Sequence, residues 1–484
     1  MKQSAKGASY LSPGQRPGLF SKFATAIEGQ GPLYSGLADA EATLNHQRLL
    51  PSTEILERME QALLLAPADE TELVWVASVT ASATARGASG QPRESGELLV
   101  RIQERGRVGT HRSGSCERPD IAASIRQALA QARVHAPLAG LPHLPASDPQ
   151  AAQQNLSDPA IVSLGASGAR DLARKTGERG GAARQSWTTG QAVVANSRGV
   201  RRHAQATAAS LSVCHGQGPG AGSASQAARV LTELDPAALG ARARSRAAPP
   251  GSPVASEPNG PIALWLSPEA TATLIRYVAR TSFTAHSYRD GTSFLRDHLG
   301  VQVFDRRIAL RADGSDPRGM PFPFDLEGTA KQPVDLIVAG TVRTPALDQR
   351  HAALLGLPST GHAVGGDDAR PEHLFLLGGE AGESDLAAAA QGGLFINELA
   401  GFELYDPRGA NFRVRCNGVR RVQAGKLSEP VPDLLWQANV LAAFANVLAV
   451  GRESVRVADD GDWVGATVAP GLVLGEVGGL QRSG

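Results

Sequence analysis

Apolar positions along the first 240 residues alternate between a period near 3.6 and a period of 2, the marks of helices and strands in turn. Ser52 or Thr53 stands where a helix cap belongs. Behind it Ile55, Leu56, Met59, Leu63 and Leu64 share one side of a helix that Pro67 ends. Leu73 to Val79 is a strand-like run, and 81–95 reads as a loop. Leu98, Val100 and Ile102 then alternate before a turn at Gly106. Ile121, Ile125, Leu129 and Ala132 restore helical spacing over 121–134, and 142–157 reads as a connector. A further helix is predicted over 161–176. After it, two strand-like runs flank Asn196-Ser197-Arg198-Gly199, a composition suited to a tight reversal with positive φ at the glycine. The stretch 241–258 is Ala, Arg, Pro and Ser without pattern, and the boundary between two domains is placed near 255.

The second half opens with a strand over Ile262 to Leu266. Ser267 at a cap position, Pro268 at the first helical position and Glu269 beside it then start a helix with Leu274, Ile275 and Val278 as its buried stripe. Short strands separated by Gly, Pro and Asp turns follow. The expected fold is α+β: a poorly ordered extension over 1–48, an α/β domain over 49–255, and a domain dominated by antiparallel strands over 256–484. No repeat of 20 to 50 residues is visible.

Composition narrows the partners. With 48 basic and 47 acidic residues the formal charge is +1, which gives no electrostatic reason to expect nucleic acid or an anionic membrane. Glycine (54) and proline (31) are plentiful while aromatics are 5%, which favours turns and short strands over a long helical bundle. Cys116, Cys214 and Cys416 lie far apart, without CxxC spacing, so a reducing, cytoplasmic setting fits better than a disulfide framework. Polar and turn-forming residues break every apolar run in the first thirty positions, and Val440 to Val450 contains Asn446 and is too short to span a bilayer.

Chemistry-bearing motifs are sparse. The segment Gly216 to Gly222 follows a strand as a nucleotide loop would. It lacks the third glycine of GxGxxG, however, and Pro219 removes an amide donor, so a flexible surface loop is expected. No GxSxG, Walker loop, HExxH or DxDxDG occurs. His351, His362 and His373 are spaced by eleven, and His215 follows Cys214. Zinc needs three or four ligands converging at about 2 Å, which such spacing does not provide, so these read as ordinary histidines. Cys416 beside Asn417-Gly418 reads as a small hydrophobe flanking a turn.

Five segments in order then carry a resemblance: "VVANSRGV", "DGTSFLRDHLGVQV", "PFPFDLEGTAKQPVDLIVAGTV", "HAALLGLPSTGHA" and "GGLFINELAG". Together they resemble the TldD/PmbA family over about residues 50 to 475. The features shared are an Asn-Ser-x-Gly hairpin, a Ser-Phe-Leu segment, a Phe-Asp-x-Glu-Gly turn, a Ser-Thr-Gly turn and a Gly-Leu strand. The catalytic branch of that family carries HExxxH on the helix after the Pro-Glu-Ala start and a cysteine in the C-terminal tail, which hold zinc, with the glutamate as general base. Here Arg276, Tyr277 and Thr281 occupy the ligand and base positions, and the tail from Asp459 to Gly484 has no cysteine. An arginine cation repels zinc and a tyrosine is a poor base at neutral pH, so no catalytic or metal-binding residue is carried over.

That departure resembles the PmbA-like (TldE-like) branch. The resemblance implies a non-catalytic subunit paired as a heterodimer with a TldD-type metallopeptidase subunit. Zinc sits in the partner, and unstructured peptides, leader peptides among them, are the substrate. Two other readings stay open: a self-sufficient hydrolase with a divergent metal site built from His286, His298, His351 or His362, and a peptide-binding or regulatory protein without a proteolytic role.

Overall fold

A computed structural model describes residues 49–88, 91–148, 154–365, 368–458 and 463–483; the expected extension over 1–48 lies outside them. The first half supplies α1 (Ser52–Leu64), β1 (Glu70–Thr84), β2 (Gly87–Ala88), β3 (Arg93–Glu104), β4 (Arg107–Ser113) and α2 (Arg118–Val134). There follow β5 (Gln154–Leu156), α3 (Pro159–Val162), α4 (Ala166–Thr176), β6 (Ala182–Asn196), β7 (Arg201–His215), β8 (Gly222–Ala228) and α5 (Pro236–Arg246). Its strands form one sheet in the order β4-β3-β1-β6-β7-β5, with β2 on β1 and β8 on β7. Every pairing is antiparallel except β5 with β7.

Alternation along β1 explains what covers this sheet. Leu73, Trp75 and Ala77 pack with Ile55 and Met59 of α1 and Ile121 and Ile125 of α2. Val74 and Val76 point the other way, against Met320, Phe322, Phe324, Leu326 and Trp463 from the second half. A strand covered on both faces reads as a continuous apolar run, which is why this one looked like a simple strand in the sequence.

The second half begins with β9 (Ile262–Leu266), α6 (Pro268–Ser282), α7 (Ala285–Asp290) and α8 (Leu295–His298). Next come β10 (Leu310–Ala312), β11 (Val334–Val338), β12 (Thr341–Val342), α9 (Gln349–Leu355), β13 (Leu374–Leu376), α10 (Glu383–Ala389) and β14 (Leu394–Ile396). The last elements are β15 (Glu398–Asp406), β16 (Asn411–Asn417), β17 (Arg420–Gln423), β18 (Lys426–Pro430), β19 (Leu434–Asn439), α11 (Val440–Ala443), β20 (Val447–Val457), β21 (Thr467–Val477) and β22 (Leu480–Arg482). A ten-stranded sheet runs β12-β11-β10-β13-β21-β9-β14-β17-β18 with β20 on β21, and a four-stranded sheet runs β15-β16-β19-β22. Pairing is antiparallel apart from β13 with β21 and β14 with β9. The fold is α+β, with strands dominant after residue 300. Among the described residues no helix is long and apolar enough to cross a membrane.

Four local expectations change. The predicted loop over 81–95 is mostly strand: β1 continues to Thr84 and β3 starts at Arg93. Small and hydroxyl side chains hid this, and they are satisfied across strands, as in the Ser78–Ser95 and Thr80–Thr188 hydroxyl pairs at 2.9 Å. The patternless stretch from 241 is in part α5, because Asp235 caps it by accepting from the Ala238 amide, Pro236 opens it, and Leu239 and Ala243 are buried. The helix over 161–176 is two helices, α3 and α4, with Gly165 in extended conformation before the second. The glycine-rich segment likewise ends inside β8, which starts at Gly222. The capped helix at Ser267 forms as expected: its hydroxyl accepts from the Ala270 amide and Leu274, Ile275 and Val278 are buried.

Candidate functional site

Arg276, Tyr277 and Thr281, the three residues expected in the family's ligand and base positions, lie on α6. Arg276 is buried, while Tyr277 is 39% exposed. The Tyr277 ring stacks on Phe402 of β15 at 5.1 Å between centroids, and Phe402 stacks in turn on Phe412 of β16 at 5.3 Å. Thr281 donates its hydroxyl back to the Tyr277 carbonyl at 2.7 Å, so its oxygen is tied into its own helix. Arg280, one turn on from Arg276, has its guanidinium 3.8 Å from Glu372. This face of α6 therefore presents two guanidiniums, a phenol and a hydroxyl. That set does not fit a zinc ion, which takes thiolate, imidazole or carboxylate donors.

The histidines considered as an alternative site are occupied otherwise. Nδ1 of His351 bonds the Asp348 carboxylate at 2.8 Å, and its Nε2 faces the Arg289 guanidinium at 3.0 Å. The same guanidinium reaches Nδ1 of His286 at 3.0 Å. Since a guanidinium only donates, it takes up the lone pairs a metal would use. His298 bonds the Phe294 carbonyl and His362 the Thr360 carbonyl. Burial, with the Lys331 charge next, drives His362 down to about 4, so it is neutral at physiological pH. Among the described residues no three His, Cys, Asp or Glu side chains are grouped so as to hold a metal ion. Burial also pushes the Cys416 thiol up, consistent with a packed side chain and not a nucleophile.

The turn motifs converge elsewhere, where the two halves meet. One oxygen of the Asp325 carboxylate accepts from the amides of Glu327 and Thr329, and the other accepts from Ala363 in the Ser-Thr-Gly segment, each at 2.9 Å. Gly328 has φ +75°, and a Cβ there would lie 2.5 Å from Val200, just past the Asn196–Gly199 hairpin; Gly361 has φ +69°, and a Cβ there would lie 2.3 Å from the Ala330 carbonyl oxygen. Three segments that are weak signals singly thus form one packed unit. Glu327 extends it into the first sheet by accepting from Arg101 of β3 at 2.7 Å, and Arg101 also donates to Glu72 of β1 at 2.9 Å.

Sequence reasoning missed the second fastening, Arg229, just after β8. Its buried guanidinium donates to the carbonyls of Thr207, Met320, Pro321, Trp463 and Val464, at 2.5 to 3.2 Å. Nothing in its local sequence marks it, because every acceptor is a backbone group from a distant segment.

Residues 259–478 match the model of the PmbA/TldA metallopeptidase C-terminal domain. Over this region the chain is similar to proteins of the PmbA/TldD family. Among relatives of this family, a metalloprotease of Methanothermobacter thermautotrophicus is 26% identical over 201 residues, 40% of this chain and 44% of that protein. Metalloprotease PmbA of Escherichia coli O157:H7 is 28% identical over 168 residues, 34% of this chain and 35% of that protein. The chain thus spans less than half the length of these curated relatives. TldE of Thermococcus kodakarensis has the same PmbA/TldD fold, with a TM-score of 0.72, 18% identity, and coverage of 87% of this chain and 99% of that one.

Proposed function

We propose that this chain is the non-catalytic subunit of a TldD/TldE-type two-component zinc metallopeptidase acting in the cytoplasm on unstructured peptides. The observation that carries this reading is the side-chain set on α6, where Arg276, Tyr277 and Thr281 stand in place of zinc ligands and base. A family member with that set contributes to proteolysis by building the chamber and gripping peptide beside a TldD-type subunit that holds the metal. An extended peptide needs only backbone pairing with a free strand edge. Among the described residues β15 ends its sheet and is paired on one side alone.

Coexpression with a TldD-type protein tests this. The expected product is a 1:1 complex on size exclusion with an interface of ~2,000 Å² or more, as in obligate pairs, drawn mainly from the C-terminal half. Peptide cleavage should need both chains. It should vanish when the partner's HExxxH glutamate is changed and persist in Tyr277→Phe of this chain. A chain that stays monomeric beside the partner and adds nothing to cleavage overturns the reading in favour of a regulatory role.

A further inference from the structure

Where the first sheet meets the 325–328 turn, one guanidinium lies between two carboxylates that are each no more than 4% exposed. Arg101 reaches Glu72 through one nitrogen at 2.9 Å and Glu327 through the other at 2.7 Å. The second oxygen of Glu327 accepts from the Gln349 amide at the start of α9, at 2.9 Å. The bridge therefore links β1, β3, the turn and α9.

Two further carboxylates face it, and His143 and Arg350 line the adjoining cavity, with His143 bonded to Glu70. Asp348, capping α9, is bonded by His351, and Asp325 by its three amides. A cavity of about 90 Å³ beside the bridge is lined by Arg101, Gln103, His143, Glu327, Gln349 and Arg350. Glu72 and Glu327, each no more than 4% exposed, thus share the Arg101 charge. Like charges at close quarters in low dielectric resist full ionisation, so the group as a whole takes up a proton more readily than a lone carboxylate.

We propose that the Glu72–Arg101–Glu327 bridge holds one shared proton at neutral pH and is a pH-sensitive latch between the two halves of the chain. With the proton on a carboxyl oxygen the guanidinium balances the remaining carboxylate and the turn stays seated on β1 and β3. Loss of the proton leaves two buried negative groups on one positive group, and the turn loosens. Titration tendencies agree: burial drives Glu72 up to about 7, against Arg101 and aided by Glu327 and Asp348. Burial also raises Glu327, and burial followed by the Glu327 charge takes Asp325 up to about 8. A carboxyl whose folded value lies above its unfolded value of 4.5 adds stability that is complete below 4.5 and is lost as pH rises through about 7.

Proton uptake on refolding of the full chain at pH 6, compared in wild type and Glu72→Gln, measures the latch directly. Wild type is expected to take up about one proton more than the variant. Hydrogen exchange at the Glu327, Gln349 and Ala363 amides supplies a second readout. Between pH 5 and 8 the opening equilibrium at these amides should rise on the order of a hundred-fold more in wild type than in the variant. Equal uptake in the two proteins assigns the proton to another group and overturns the proposal. Should Glu72→Gln fail to fold, wild type alone decides: no net uptake at pH 6, with Glu72 and Glu327 both titrating below 5 by carboxyl NMR, also overturns it.

Discussion

The outer face of α6 and the junction around Asp325 both gather polar side chains in the second half, but the two are built on opposite terms. At the junction, carboxylates and guanidiniums are buried and nearly every oxygen meets an amide or an arginine. On α6, Tyr277 is partly exposed and held by ring stacking, and Thr281 bonds only its own helix. Side chains under the first regime cannot change without orphaning buried partners, whereas Tyr277 and Thr281 on α6 can change with little cost to the fold. Burial thus holds residue type fixed at the junction and leaves it freer at Tyr277 and Thr281.

Arg229→Met should break the comparison most severely. It removes a donor to five carbonyls of three segments, and several acceptors left buried without partners predict a loss on the order of 3–5 kcal/mol. A melting temperature close to that of wild type would show that the two halves do not depend on this clamp. Gly361→Val and Gly328→Val come next, because both glycines have positive φ and close neighbours; each should lose on the order of 1–3 kcal/mol in denaturant titration.

On α6 the effects should be smaller. Tyr277→Ala removes one stacked pair, a loss of about 0.5–1.5 kcal/mol, while Tyr277→Phe keeps the ring and should lie within about 0.5 kcal/mol of wild type. A Tyr277→Ala loss as large as that of Gly361→Val would erase the distinction between the two regions. Least of all is expected from Arg276→His, which supplies one donor where zinc needs three or more. Metal analysis of the dialysed variant should find no stoichiometric zinc, and about one zinc per chain would place Tyr277 and Thr281 in a competent site after all.

Much of the fold was legible because local signals agreed with it. The Ser267-Pro268-Glu269 start of α6, the Asn196–Gly199 reversal, and the glycines of the Asp-x-Glu-Gly and Ser-Thr-Gly turns each declare a backbone conformation through residue type alone. Where residue type and neighbourhood disagreed, reading failed. The hydroxyl-rich end of β1 looked like a loop because its partners, Ser95 and Thr188, lie 17 and 108 residues away. The absence of histidine and glutamate at positions 276, 277 and 281 was equally plain in the sequence, since residue type alone decides it.

The sequence by itself thus determined the turns at Gly199, Gly328 and Gly361, the cap at Ser267 and the residue types at 276, 277 and 281. These depend on residue identity at fixed short spacings. Only the tertiary structure decided that Glu72, Arg101 and Glu327 share one buried bridge and that Arg229 binds carbonyls drawn from residues 207, 320, 321, 463 and 464. Contacts across such separations leave no periodic trace, because a charged side chain is written the same way whether water or a buried partner receives it.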